Sequence, residues 1–216
     1  MFAENWDKLT REVDGCREAH QGGDGMTGAG PLAVGVCASP RRRANSSVLA
    51  EAALEELAAS GCRCEKVRLA RYRLLPCLAH DHCADFAACP QDDDVPGILD
   101  LVYAADVLVM ATPVYYENVS GQLKLFMDRN LFRYSHDQWL RARAVGLIAV
   151  TAETGLEDAL GAMRRYVALS TKGAPTVLTL GGYANEAGEA AGDVDLLAAA
   201  RGLGRELAES LGLSPA

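Results

Sequence analysis

Five short strand-like runs, each leading through small or polar residues into a stretch of helical spacing, constrain this chain more than any other feature. Leu32 to Val36, Asp106 to Ala111 and Ala144 to Thr151 are nearly uninterrupted apolar runs, the composition of strands buried on both faces, and Pro175 to Leu180 closes the series. Residues 62–70, CRCEKVRLA, alternate polar and apolar positions as a strand near a sheet edge does. The helical stretches fall between and after these runs. Val48 to Ala59 is rich in Ala, Leu and Glu, and Asn45 and Ser46 before it are good N-caps. Helices are also expected over about Val95 to Tyr103 and over Gly121 to Leu131, with Leu123, Phe126 and Met127 inward. Two more follow over about Leu156 to Ser170 and about Asp193 to Leu211, where leucines recur at the 3.6-residue period.

Strands alternating with helices predict an α/β protein whose parallel sheet is covered on both faces. Right-handed crossovers favour a doubly wound, flavodoxin-like sheet of five strands in the order 2-1-3-4-5, with the ligand outside the carboxyl ends of strands 1 and 3. With 216 residues, half of them apolar, the chain can bury one ordinary core, and residues 31–216 are expected to form it. Residues 1–30 stand apart. Phe2, Trp6, Leu9, Val13 and Cys16 make one apolar stripe at helical spacing, and QGGDGMTGAG, residues 21–30, reads as a flexible tether. Cys16 and His20, one turn apart, read as stripe and surface residues.

A net charge of −8 argues against a nucleic-acid protein, which needs a basic face. No apolar run approaches the roughly 20 residues that cross a bilayer, and the first 30 residues lack the pattern of a signal peptide, so a cytoplasmic protein is expected. Seven cysteines without an export signal are expected as thiols or metal ligands.

Two loops carry the chemistry. In ASPRRRANSS, residues 38–47, a helix start with hydroxyls at Ser39, Ser46 and Ser47 and cations at Arg41 to Arg43 suits a phosphate. In TPVYYENVS, residues 112–120, Pro113 stiffens the loop while Tyr115 and Tyr116 offer rings and hydroxyls. Both loops follow strands expected to be neighbours. Together they form a site for a phosphorylated aromatic cofactor.

SPRRRANSS resembles the phosphate loop of the NADPH-dependent FMN reductase family, and TPVYYENVSGQLKLFMDR is similar to that family's flavin loop and following helix, closest to its iron–sulfur flavoprotein branch. The resemblance implies that Ser39, Arg41, Asn45, Ser46 and Ser47 hold an FMN phosphate. It implies that Pro113, Val114, Tyr115 and Tyr116 line the isoalloxazine, and that Thr151 to Gly155, with Glu153, form a third flavin loop. Ala44 and Glu117 stand where the family has glycine. The branch also carries four cysteines between these loops; here the segment supplies Cys77, His80, Cys83 and Cys89, open to an iron–sulfur cluster, a Zn²⁺ ion or no metal.

The expected function is FMN-dependent oxidation of NAD(P)H, or of a protein donor, with electrons passed to a flavin, quinone, metal or protein. A non-enzymatic FMN electron carrier and a flavin-free phosphate-binding regulator are the alternatives. The resemblance also implies a homodimer or homotetramer.

Overall fold

The computed structural model describes residues 30–214. The apolar stripe of residues 2–16 and nearly all of the tether lie outside the described residues. The chain runs β1 (Leu32–Cys37), α1 (Asn45–Ala59), β2 (Arg63–Arg68), α2 (Val95–Ala104), β3 (Val107–Tyr115), β4 (Asn118–Val119), α3 (Gly121–Arg129), α4 (Leu131–Ser135), β5 (Ala144–Thr151), α5 (Leu156–Ser170), β6 (Thr176–Tyr183) and α6 (Val194–Ser210). The sheet order is β2-β1-β3-β5-β6, with β4 attached to β3. With the two-residue β4 set aside, this is the expected order 2-1-3-4-5, and every pair along the path is parallel.

Both faces of the sheet are covered, which is why β1 and β5 are buried along their whole length. On one face Val34, Val36, Leu108, Met110 and Leu147 pack against Ile98, Leu123, Phe126, Leu160 and Met163 of α2, α3 and α5. On the other, Ala33, Val109 and Ile148 meet Leu49, Leu54, Leu203 and Leu207 of α1 and α6. Packing there is tight enough that a Cβ on Gly204 would overlap the backbone of Ala53. That lets α1 and α6 touch.

Two departures from the sequence reading bear on the site. Helix α1 begins at Asn45 with Ala44 in the N-cap position, and neither Asn45 nor Ser46 caps it. Residues 113–115 are strand rather than loop. β3 continues past the sheet edge and turns back through Tyr116 and Glu117 into β4, with Val114 opposite Val119. Both turn residues have left-handed backbone, φ 49° and 57°, the conformation a two-residue hairpin turn needs and one usually given to Asn or Gly.

Candidate cofactor site

The carboxyl ends of β1, β3, β5 and β6 enclose a cleft of about 240 Å³. Its first wall is the β1–α1 loop. Ser39 Oγ accepts the Arg41 N–H at 3.3 Å and folds the loop back, while Arg41 and Arg43 reach the cleft and form no ion pair among the described residues. At the base lies the first turn of α1, whose N–H groups have no partner within the helix. Ser46 Oγ is buried there without a hydrogen-bond partner.

Pro113, Val114 and Tyr115 form the second wall. Ser120 locks it to the first: its hydroxyl donates to the Ala38 carbonyl at 2.8 Å and caps α3 by accepting the Leu123 N–H. Thr112 Oγ1 accepts the Ser120 N–H at 3.0 Å, so the strand, the turn and the helix start move together. Neither residue stood out in the sequence, where a buried hydroxyl that ties two loops looks like any helix cap.

The third wall is the segment after β6, where Ala184, Asn185 and Ala187 line the cleft. Asn45 positions it. Its Nδ2 donates to the Glu186 carbonyl at 2.8 Å, and its Oδ1 accepts the N–H groups of Gly188 and Ala190 at 3.0 and 3.1 Å. The polar atoms that the sequence assigned to a phosphate are thereby committed to the protein itself.

The structure thus brings Ser39, Arg41, Asn45, Ser46, Pro113, Val114 and Tyr115 to one cleft. Ser47 is buried outside the lining, and Tyr116 is fully exposed at the hairpin tip. Thr151 is buried and shapes its own turn, accepting the Glu153 N–H and donating to the Thr154 carbonyl. Gly155 (φ 78°) supports the hairpin, because a Cβ on it would overlap the Cα of Glu117.

Cys77, His80, Cys83 and Cys89 are half-buried along the segment before α2. Among the described residues no three His, Cys, Asp or Glu side chains converge as metal ligands do. Cys77 Sγ accepts the Ala79 N–H at 3.4 Å, and the His80 ring packs edge-on against Phe86. Cys89 Sγ accepts from Arg129 Nη2 at 3.4 Å. The same guanidinium grips Asp93 through both nitrogens and bonds the Leu75 carbonyl, with Arg129 and Asp93 side chains almost wholly buried. Burial opposes the charge on Arg129, but Asp93, with Cys89, outweighs it and raises the pKa. This pair clamps the cysteine segment onto α3.

A doubly wound parallel sheet whose switch point opens on a helix start beside a hairpin defines a flavodoxin-like protein. The NADPH-dependent FMN reductase family matches residues 31–183. An iron–sulfur flavoprotein of Archaeoglobus fulgidus is 37% identical over 179 residues, 82% of this chain and 79% of that one. Another, from Methanocaldococcus jannaschii, is 38% identical over 97 residues, 45% of this chain and 50% of its own length. Among solved structures, an NAD(P)H:quinone oxidoreductase from Methanothermobacter marburgensis superposes with TM-score 0.62 at 21% identity, covering 83% of this chain and 96% of that one. The chain belongs to the NADPH-dependent FMN reductase family, in its iron–sulfur flavoprotein branch, and is an FMN-dependent oxidoreductase.

Proposed function

We propose that the cleft holds FMN with its phosphate at the start of α1 and its ring against Pro113 to Tyr115, and that the protein oxidises NAD(P)H and passes the electrons to a small quinone or flavin, a metal, or a protein. The observation that carries this reading is Ser46 Oγ, a buried hydroxyl with no partner among the described residues, at a helix N-terminus beside Arg41 and Arg43, which form no ion pair among them. Leaving such a group unsatisfied costs about 1–3 kcal/mol, and a phosphate oxygen removes that cost. When bound, FMN supplies the redox chemistry, accepting a hydride from a nicotinamide and releasing electrons to an acceptor.

The chain's own residues bind and orient. Arg41 and Arg43 neutralise the phosphate, Ser46 and the α1 amides fix its position, and Ser120 holds the hairpin in register with the phosphate loop. Tyr115 and Tyr116 place exposed rings and hydroxyls at the mouth of the cleft, where donor and acceptor enter. Tyr116, fully exposed at the hairpin tip, is a ring that a second subunit would cover, which favours a homodimer or homotetramer; mass measurement in solution tests it.

The cysteine segment as folded does not fit a metal, because among the described residues no three of its potential ligands converge. The second reading is an electron carrier with an iron–sulfur centre. It is favoured by the relatives' names and by three cysteines on one segment, and it requires Cys77, Cys83 and Cys89 to converge. Anaerobic purification with FMN, iron, sulfide and zinc analysis, followed by NADPH oxidation with a quinone acceptor, separates the two. Steady turnover with FMN and no metal supports the enzyme; one cluster per chain with no turnover supports the carrier; no FMN bound at all overturns both.

A further inference from the structure

Arg68, half-buried at the end of β2, stands on the far side of β1 from the cofactor cleft. It is in register with Cys37, the last residue of β1, whereas β3, β5 and β6, whose ends line the cleft, lie on the other side of that strand. From there it reaches the outside of the β1–α1 loop. Its Nη2 donates to the Arg41 carbonyl at 3.2 Å and to the Arg42 carbonyl at 3.3 Å. No carboxylate pairs with it among the described residues, although the chain carries a net charge of −8.

A trans peptide unit points its C=O and the following N–H in opposite directions, and no peptide bond among the described residues is cis. Holding the Arg41 and Arg42 carbonyls toward β2 therefore turns the N–H groups of Arg42 and Arg43 to the cleft side of the loop. Neither N–H has a hydrogen-bond partner among the described residues. Two successive N–H groups on one side of a turn make a seat for an anion, here at the entry to α1, where Ser46 Oγ is also without a partner. The side chains sort the same way, for Arg41 and Arg43 line the cleft and Arg42 does not.

We propose that Arg68 is a positioning residue for the cofactor phosphate and a determinant of the preference for FMN over riboflavin. This role rests on the reading that seats the phosphate at the start of α1. Ser120 ties the loop at the Ala38 carbonyl and Ser39 ties it at the Arg41 N–H. Beyond those points Arg68 holds it from outside. Arg41, Arg42, Arg43 and Arg68 repel one another, and a phosphate dianion on the inner side removes that repulsion. Without Arg68 the two carbonyls are free to rotate, and the N–H groups turn away from the phosphate with them.

The test titrates the full-length protein, freed of flavin, with FMN and with riboflavin, following flavin fluorescence in Arg68→Met, Arg68→Lys and Ser46→Asp. Arg68→Met removes donors and charge together, while Arg68→Lys keeps the charge and loses the planar fork. FMN affinity should fall about tenfold in Arg68→Met and at least about fivefold in Arg68→Lys, with riboflavin affinity within about twofold of the parent in both. A folded Arg68→Met protein that binds FMN as the parent does overturns the proposal. Parallel loss of both flavins, the mark of a merely structural role, equally overturns it, as does full recovery in Arg68→Lys, which assigns the effect to charge alone. Selective loss of FMN in Ser46→Asp with none in Arg68→Met overturns the role of Arg68 and leaves the phosphate site standing. Failure of Ser46→Asp to separate the two flavins overturns both.

Discussion

Asn45 and Glu186, 141 positions apart, are joined by a 2.8 Å hydrogen bond from the Asn45 amide to the Glu186 carbonyl. With the Gly188 and Ala190 N–H groups on the same side chain, one residue at the start of α1 fixes the far wall of the cofactor cleft. Asn45→Ala leaves the buried Ala190 N–H unpaired, which costs about 1–3 kcal/mol. Urea unfolding should show a loss of about 2 kcal/mol, and FMN affinity should fall at least tenfold. Riboflavin affinity should fall with it, because the whole wall loosens.

Ser46→Asp acts differently. It sets a carboxylate against the phosphate position at the base of the cleft while leaving the walls in place. FMN binding should weaken by about two orders of magnitude, consistent with losing a charge-assisted contact worth about 1.5–3 kcal/mol, and riboflavin binding should change little. Fluorescence quenching titrations with both ligands check it. Equal losses would put the phosphate elsewhere.

Gly155 is the point where the β5–α5 turn bears on the β3–β4 hairpin. Alanine there meets two penalties, a left-handed φ of 78° and overlap with the Glu117 backbone, together worth about 1–3 kcal/mol. The hairpin must shift. Gly155→Ala should raise amide exchange in residues 113–119 while leaving β1 and β2 unchanged, as hydrogen-exchange mass spectrometry would record.

The architecture was legible because buried apolar runs and 3.6-period stripes survive in any parallel α/β sheet. Right-handed crossovers favoured the strand order that the sheet shows. The lining of the cleft was legible only where local sequence marks it, as at Ser39, Arg41 and Ser46. Asn45 looks like a cap or phosphate ligand in isolation, and nothing local reveals that the 186–190 turn claims it. The hairpin was hidden because its turn residues, Tyr116 and Glu117, are neither Asn nor Gly. The third wall had one signal, the small-residue run after the last strand, since every βα turn of such a sheet opens on the ligand edge.

Alkaline pH should destabilise the fold through groups buried in their neutral form. Burial pushes the Cys37 thiol up to about 11 and the Tyr103 phenol up to about 12, and raises Tyr166 as well. Each folded value exceeds the unfolded one, so the stabilisation is complete below the unfolded pKa, near 9 for the thiol, and is lost as pH rises through the folded value. Urea unfolding should therefore give constant stability from pH 7 to about 8.5 from these groups and a steep fall from about 9 to 11.

The buried Arg129–Asp93 pair should be the most sensitive single contact outside the sheet. Asp93 accepts from Arg129 and from the Leu75 and Val95 N–H groups, so it serves α3, the start of α2 and the cysteine segment at once. Asp93→Asn strands a guanidinium away from water, at a cost of about 3–5 kcal/mol, whereas a paired Asp93→Asn, Arg129→Met variant removes the charge and should recover much of it. The single variant should also free Cys89 from its guanidinium donor. Alkylation with iodoacetamide, followed by peptide mass spectrometry, should show faster labelling at Cys89 with little change at the buried Cys37. Unchanged Cys89 labelling in a folded Asp93→Asn protein would show that the ion pair does not restrain the cysteine segment.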